Sequence, residues 1–455
     1  MEQLMELGSF VSGLNCSQVP KEVCQSAVLH ILDTVGAAIG GAMEQQNCRV
    51  RENWLRMNSE GACSVWGTGS KASPGMAAFL NAMAGHTLEM DDVHTKSKTH
   101  IGTVVIPAAW AAAEYEQKGG EELLAAIISG YEIMSRIGMG VGVTAHRNLG
   151  WHVTATAGTF GAAAACARIL GLSAEQTAWA LGLAGAQSFG TWAFLGDGAS
   201  CKVLNPARAA QCGLEAAYLA KSGMTGPVHI LTADDGGILK MMSSAPCPDL
   251  ITKNLGSMWE IQNVDNKPYP SCRSTHCAID GALKLAEEYG ILADEISKVE
   301  IETYQVGYKQ CGLSESSLHP KSPVQAKFST PFTVACAMLF GECTLKQMTK
   351  DVIEQPKVQN LMEKIRVLPT EEFTSAYPSH WGCRVNIRLK DGTVRSAKIP
   401  DASGSIFQPL TESQVQDKAL SLMEGEGQGG LEQEVAERIA GQILKLESLS
   451  RLPEI

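Results

Sequence analysis

The chain has 455 residues, 45% of them hydrophobic and 19% charged, and a formal net charge of −11. At about 100–200 residues per domain that length suggests two or three domains with a large core. The acidic balance argues against a nucleic-acid or anionic-membrane partner, because both need a basic face, but leaves room for a small acidic ligand held by a few local cations.

Fourteen cysteines are scattered without a CxxC pair, so free thiols in a reducing compartment are expected rather than a zinc ribbon or a thioredoxin-like site. The first ten residues, MEQLMELGSF, lack the basic and apolar regions of a signal peptide, so a cytoplasmic location is expected. The uncharged run from Gln176 to Gly196 is too rich in Gly, Ala, Ser, Thr and Gln for a membrane span and reads as buried helix.

Residues 1 to about 245 predict helices. Small apolar residues recur at helical spacing in MAAFLNAMAGHTLEM, VVIPAAWAAAEYEQ, ELLAAIISGYEIMSRIG and TAGTFGAAAACARIL. Their alanine content implies thin helices at short interaxial distance. GLSAEQ, residues 171–176, gives a glycine stop followed by Ser173 as the cap of the next helix.

The texture changes after SSAPCPDL, residues 243–250. KVEIETY (298–304) and KIRVLP (364–369) alternate as strands do, and CRVNIRLKDGTVRSAKIP (383–400) reads as a hairpin turning at Asp391–Gly392. Val385, Ile387 and Leu389 share one face, and helices are expected over Thr275–Tyr289 and Thr330–Phe340. A last helical stretch carries Leu431, Val435, Ile439, Ile443 and Leu446 and is placed to pack back on the first domain. The expected fold is mainly α: an all-helical domain of residues 1–250 and 405–455, and a smaller α+β lid domain of residues 251–404, firmly docked.

Four stretches carry groups suited to chemistry. GHTLEMDDVHTKSKTH, residues 85–100, holds three histidines and three carboxylates. Its spacing permits a metal site but has no HExxH or DxDxDG motif, so metal ligands, structural caps and an acid–base loop all stay open. His152 precedes a threonine-rich helix start, where free N–H groups attract anions. Lys202 stands alone among small residues, as a buried base or carboxylate clamp would, and Arg208 is a further anion candidate. KPYPSCRSTHCAID brings Lys267, Tyr269, Cys272, Arg273, Ser274 and His276 to a helix start, with Arg273 either a fork for a carboxylate or paired with a protein acid. No Gly-rich phosphate loop, GxSxG or nucleophilic cysteine motif accompanies them. Such a set suits proton abstraction beside a carboxylate, with cations or imidazoles neutralising the enediolate.

ILDTVGAAIGG, the 85–114 stretch, GYEIMSRIG, GWHVTATAGTFGAAAACARILGLSAEQTAWALGLA, YPSCRSTH and AKFSTPFTVACAML together resemble the MmgE/PrpD family over nearly the whole chain. The resemblance implies a helical domain built from both chain ends, an α+β lid and a cleft between them. It further implies a homodimer and chemistry without metal or organic cofactor. Residue by residue, it marks Asp91, Asp92, His100, His152, Lys202 and Tyr308 as catalytic, with Lys267, Cys272, Arg273 and His276 for substrate binding. Two positions depart from the family's decarboxylase branch, where Val93 replaces a threonine and Cys272 a histidine.

The expected function is therefore a cofactor-independent lyase or isomerase of a small di- or tricarboxylate, first a 2-methylcitrate dehydratase-like hydro-lyase. Epimerisation of an iminodisuccinate-like acid or decarboxylation of a cis-aconitate-like acid are alternatives within the same chemistry. A metal-dependent hydrolase centred on His86, Glu89, Asp92, His94 and His100, or a non-catalytic carboxylate-binding protein, are alternatives outside it.

Overall fold

The computed structural model describes residues 3–57, 61–425 and 430–455. Helices dominate the first half, including Lys21–Ala42, Pro74–Thr87, Gly102–Tyr115, Gly120–Gly140, Val153–Ile169 and Leu204–Lys221. Their small residues let backbones approach closely. A Cβ at Gly130 would lie 2.4 Å from Val105 Cγ1 and 2.9 Å from the carbonyl of Gly161 on the facing helix. Ser173 caps Ala174–Ala186 as expected: its Oγ accepts from Gln176 N at 3.1 Å, and Gln176 Oε1 accepts from Ser173 N. Lys21–Ala42 is long and apolar enough to cross a membrane by composition, yet it is a core helix, with 72% of its apolar window buried inside the protein.

The first half is not wholly helical. Strands β1 (Cys63–Val65) and β2 (Ser70–Ala72) form an antiparallel ribbon. Gly67 and Gly69 turn it at φ of +69° and +66°, a conformation glycine adopts without a Cβ clash. Trp66 anchors the ribbon, its ring packed edge-on against Trp110. A second two-stranded ladder pairs β3 (Val93–His94) with β4 (Val264–Asp265) and ties the 85–100 stretch to the segment that leads into the second half.

The second core is a mixed sheet of β5 (Ile296–Thr303), β6 (Ile365–Pro369), β7 (Cys383–Leu389) and β8 (Val394–Ile399), in the order β6-β5-β7-β8. β5 and β6 run parallel; the other neighbours are antiparallel. Asp391 and Gly392 make the expected turn, with Asp391 Oδ1 accepting from Thr393 N and Gly392 at φ +91°. Helices His276–Tyr289 and Thr330–Phe340 cover the sheet's apolar face. One hydrophobic core gathers residues from Leu4 to Val264 and from Ala419 to Leu446, and the other runs from Cys277 to Ala402. The first core thus reaches beyond residue 250.

The C-terminal helix Glu412–Met423 lies on Lys21–Ala42, where Lys418 Nζ reaches Asp33 Oδ1 at 2.6 Å and the Met90 carbonyl at 2.6 Å. Buried Arg136 donates from Nε to Glu132 and from its Nη atoms to the carbonyls of Lys253 and Met258. Glu132 in turn accepts from the backbone of Glu260 and Ile261, and Glu260 holds His94 at 3.1 Å. The 85–100 stretch is thereby fixed from both sides.

Gly36 sets the distance between the Lys21–Ala42 and Glu412–Met423 helices, since an added Cβ would meet Ala419 Cα at 2.8 Å and its carbonyl oxygen at 3.0 Å. Gly36→Ala should therefore lower stability by about 1–3 kcal/mol in chemical denaturation, the range for overpacking a close contact. Gly13→Ala, with no atom within 4 Å, is the control and should change stability by less than about 1 kcal/mol.

Candidate active site

The Pro74–Thr87 helix ends one residue after His86, and its register does not continue into the acidic residues. Glu89 takes φ +60°, a left-handed conformation that costs a non-glycine residue energy and persists only when its surroundings impose it. Here the surroundings are two lysines. Glu89 Oε1 accepts from Lys202 Nζ, while Lys267 Nζ lies 3.3 Å from Oε2 and 3.1 Å from the Glu89 carbonyl. All three side chains are 6% exposed or less. Burial raises the Glu89 carboxyl, but Lys202, Lys267 and His86 outweigh it and hold the carboxylate ionised, well below its usual range.

Asp91 and Asp92 are adjacent but serve different sites. Asp91 Oδ2 sits 2.6 Å from His86 Nδ1 and 3.1 Å from His100 Nδ1, the latter off the line of an ideal hydrogen bond; its Oδ1 lies 3.9 Å from Lys267 Nζ. Burial raises its carboxyl, and the two imidazoles and Lys267 bring it well below the ordinary value. Asp92 turns away into the helical core. It accepts from Gly102 N at 2.9 Å and Tyr131 Oη at 2.6 Å, and burial pushes its carboxyl up to about 7. The expectation that Asp92 is catalytic alongside Asp91 is corrected accordingly: Asp92 anchors the start of Gly102–Tyr115 and does not line the cavity.

A cavity of about 70 Å³ lies against these groups, lined from one core by Glu89, Val93, His100, His152 and Lys202, and from the other by Lys267, Cys272, Arg273 and Gln310. At roughly 10–15 Å³ per water this is room for about five to seven waters, the scale of a small acid. A second cavity of about 580 Å³ shares Glu89, Lys202 and Phe328 with it and adds His86 and Lys327. Lys327 donates to the Thr87 carbonyl at 3.0 Å, and burial, against the pull of Glu89, brings its ammonium down to about 8.

The imidazoles facing the small cavity are neutral. Burial lowers His100 to about 4 despite Asp91, which acts in the opposite direction. Burial, with Lys202 next, carries His152 well below the usual histidine value. His152 sits at the N-cap of Val153–Ile169 with its ring edge-on to Trp192, 4.8 Å between centroids, and its Nδ1 has no partner. Thr154, in the first turn of the same helix, accepts the His100 backbone N–H, so both histidines are positioned by one helix start.

Arg273 lines the cavity and is also paired with a protein acid, Asp265 Oδ2, at 2.9 Å. The Cys272 thiol is lowered to about 6, chiefly by a hydrogen bond with Cys311, against the effect of burial. Three expected residues lie elsewhere. His276 is sealed beneath the site, with Nε2 3.2 Å from the Ser271 carbonyl and its ring against Tyr269. Tyr308 belongs to Gln305–Cys311, whose cavity-facing residues are Val306 and Gln310, one turn apart and on the opposite side from Tyr308. Arg208 is exposed over Phe79 and hydrogen-bonds Gln211.

Glu89, Lys98 and Arg147 also line the cavity; the sequence marked Glu89 only within the alternative metal site, and Lys98 and Arg147 not at all. The usable signal for Glu89 was the leucine-glutamate-methionine step after His86, where apolar spacing breaks from the helical period. His86, Asp91 and His100 present donor atoms within 4.8 Å of one another, a set that could hold a metal ion, though an ion there would displace the 2.6 Å contact between His86 and Asp91. Five lining cations, Lys98, Arg147, Lys202, Lys267 and Arg273, face one lining carboxylate, Glu89. The lining therefore carries an excess of positive charge beside neutral imidazoles, an arrangement able to hold an anion.

Comparison with known proteins agrees in kind. The cis-aconitate decarboxylase-like protein oryM of Aspergillus oryzae is 26% identical over 99% of this chain and 95% of its own length. Cis-aconitate decarboxylase of Homo sapiens is 27% identical over 90% of this chain and 85% of its own. The mitochondrial 2-methylcitrate dehydratase of Yarrowia lipolytica is 24% identical over 81% and 74%. Residues 5–250 match the model of the MmgE/PrpD N-terminal domain and residues 269–443 that of the MmgE/PrpD C-terminal domain. With both domains matched in order along one chain, this protein belongs to the MmgE/PrpD family.

Proposed function

We propose that this enzyme, of the MmgE/PrpD lyase type, takes a proton from the carbon beside a carboxylate of a small polycarboxylate and eliminates water, as a 2-methylcitrate dehydratase-like hydro-lyase. The observation that carries the reading is the pairing of neutral, buried imidazoles with an excess of cations around one small cavity.

The α-proton of a carboxylate is weakly acidic, so abstraction needs a base in reach and positive charge on the forming enediolate. Asp91 holds the Nδ1 side of His100, which leaves Nε2 as the acceptor. His100 takes the proton, the C–H pair becomes the carbon–carbon double bond, and the C–O bond breaks. Lys202 supplies the proton with which hydroxide leaves as water, and the proton on His100 returns to Lys202 through solvent. Lys267 and Arg273 carry the charge of the enediolate oxygens. Asp91 is a positioning residue, because it touches the base and not the substrate.

A second reading is decarboxylation of a cis-aconitate-like acid. Two of the three relatives described above carry that activity in their names. The same base and cations would serve it, with CO2 leaving in place of water. Val93 and Cys272, the two departures from the decarboxylase pattern, both line the cavity, and this favours dehydration.

Incubation with citrate, 2-methylcitrate, cis-aconitate and aspartate-type acids in deuterated water separates the reactions. Loss of water supports the hydro-lyase, loss of CO2 the decarboxylase, and deuterium exchange alone an epimerase; no turnover of any of them overturns the reading. His100→Gln should lower kcat by about 10²–10⁴-fold, the usual contribution of a positioned base.

The pH profile gives an independent check. A base must be unprotonated, and burial holds His100 at about 4, below the ordinary 6.5. kcat/KM should therefore stay level as pH falls through 6.5; an acid limb at 6.5 would remove His100 from the role. Asp91 raises the His100 value, so Asp91→Asn should move the acid limb lower still while reducing kcat.

A further inference from the structure

Lys98 and Arg147 differ from every other cation at the cavity. Lys202 and Lys267 are matched by Glu89, and Arg273 by Asp265. Among the described residues no carboxylate pairs with Lys98 or Arg147, and neither side chain makes a hydrogen bond. Each is held instead by a ring: Lys98 Nζ lies 4.3 Å from the Tyr377 centroid, and the Arg147 guanidinium 4.4 Å from that of Trp192. Arg147 Nε is buried without a partner.

The two cations are close enough to act on each other. Burial, followed by Arg147, brings Lys98 down to about 7, and burial lowers Arg147. Like charges drawn out of water side by side are costly unless an anion joins them. The backbone reflects the same demand. Lys98 stands at φ +58° in the loop between β3 and His100, a left-handed setting rare for lysine, and it directs the chain so that this residue lines the cavity. Trp151, Trp192 and Trp381 complete that wall.

We propose that Lys98 and Arg147 form a second carboxylate-binding subsite, distinct from the Lys202–Lys267 pole, through which the enzyme selects acids carrying carboxylates at both ends. This rests on the reading that the substrate is a small polycarboxylate. The first pole holds the reacting end of the acid, with Lys267 at the carboxylate beside the reacting carbon and Lys202 at the leaving hydroxyl. The second holds a carboxylate at the far end, with Arg147 offering the planar fork that suits it. These two residues set KM and specificity and take no part in proton transfer.

The test is calorimetric binding of three unreactive probes, propane-1,2,3-tricarboxylate, glutarate and butyrate, to wild-type protein and to Lys98→Met and Arg147→Met. Wild type should bind the triacid and diacid at least tenfold more tightly than butyrate. Each variant should lose at least tenfold for the triacid and diacid and keep its butyrate affinity, and Lys98→Arg should restore binding. A parallel loss for butyrate, no loss at all, or no binding of any probe by wild type would each overturn the subsite. Should a variant fail to fold, glutarate against its monoamide on wild type decides, with equal affinity for the two overturning the proposal. Binding does not need turnover, so tight diacid binding without any reaction would sink the proposed chemistry alone. Turnover with unaltered acid preference in the variants would sink the subsite alone.

Discussion

Everything at the cavity depends on one buried ion cluster, Glu89 between Lys202 and Lys267. Its members come from three distant parts of the chain: just past the Pro74–Thr87 helix, the 3₁₀ turn at Ser200–Val203, and the residues following β4. A buried ion pair contributes little net stability, because desolvation cancels most of its attraction, yet removing one partner leaves an uncompensated charge and costs about 3–5 kcal/mol. The cluster is thus a poor way to stabilise a fold and an effective way to fix geometry. It also explains the left-handed Glu89. Both its side chain and its carbonyl are held by lysines, so the strained backbone has nowhere better to go.

Burial at the same cavity decides the state of His100 and His152, with the cations acting in the same direction. His86, His100 and His152 crowd together, with centroids 4.9 Å apart for the first two. A carboxylate as close as Asp91 would ordinarily favour imidazolium. Burial and the surrounding positive charge prevail at His100 and His152, and both stay neutral. Asp91 can then orient a base without charging it. Burial, which strengthens every charge interaction at the cavity, is also what keeps His100 and His152 neutral.

Much of this was legible in the sequence, and the exceptions have identifiable causes. Alanine at helical spacing, the Ser173 cap, the Asp391–Gly392 hairpin and the buried isolation of Lys202 all follow from local physics that the folded chain leaves intact. The acidic stretch was harder. A helix continued past His86 would put Glu89 and Asp92 on one face, whereas it stops at Thr87 and a single left-handed residue redirects the side chains after it. Asp91 and Asp92 then point to opposite sides, a difference that no spacing rule contains. Tyr308 fails for a similar reason: a seven-residue helix places Val306 and Gln310 on the cavity and turns the residue between them away. Arg147 sits in a short helix whose tertiary neighbour, Trp192, is 45 positions later, and nothing local announces that contact.

The cavity therefore has a part that is held rigidly and a part that is free to differ. Glu89, Asp91, Lys202 and Lys267 restrain one another, so changing any one takes an ionic contact away from a buried charge. Val93, Lys98, Arg147 and Cys272 line the same space, and no ion pair joins any of them to that cluster. Substitution there alters which groups the substrate meets without unsealing the cluster. Val93 and Cys272 are the positions where the family resemblance marks a departure from the decarboxylase branch, and Lys98 and Arg147 are, among the described residues, the lining cations with no carboxylate partner. On the proposed reading, proton abstraction belongs to the constrained wall, and the identity of the acid and of what leaves it belongs to the unconstrained one.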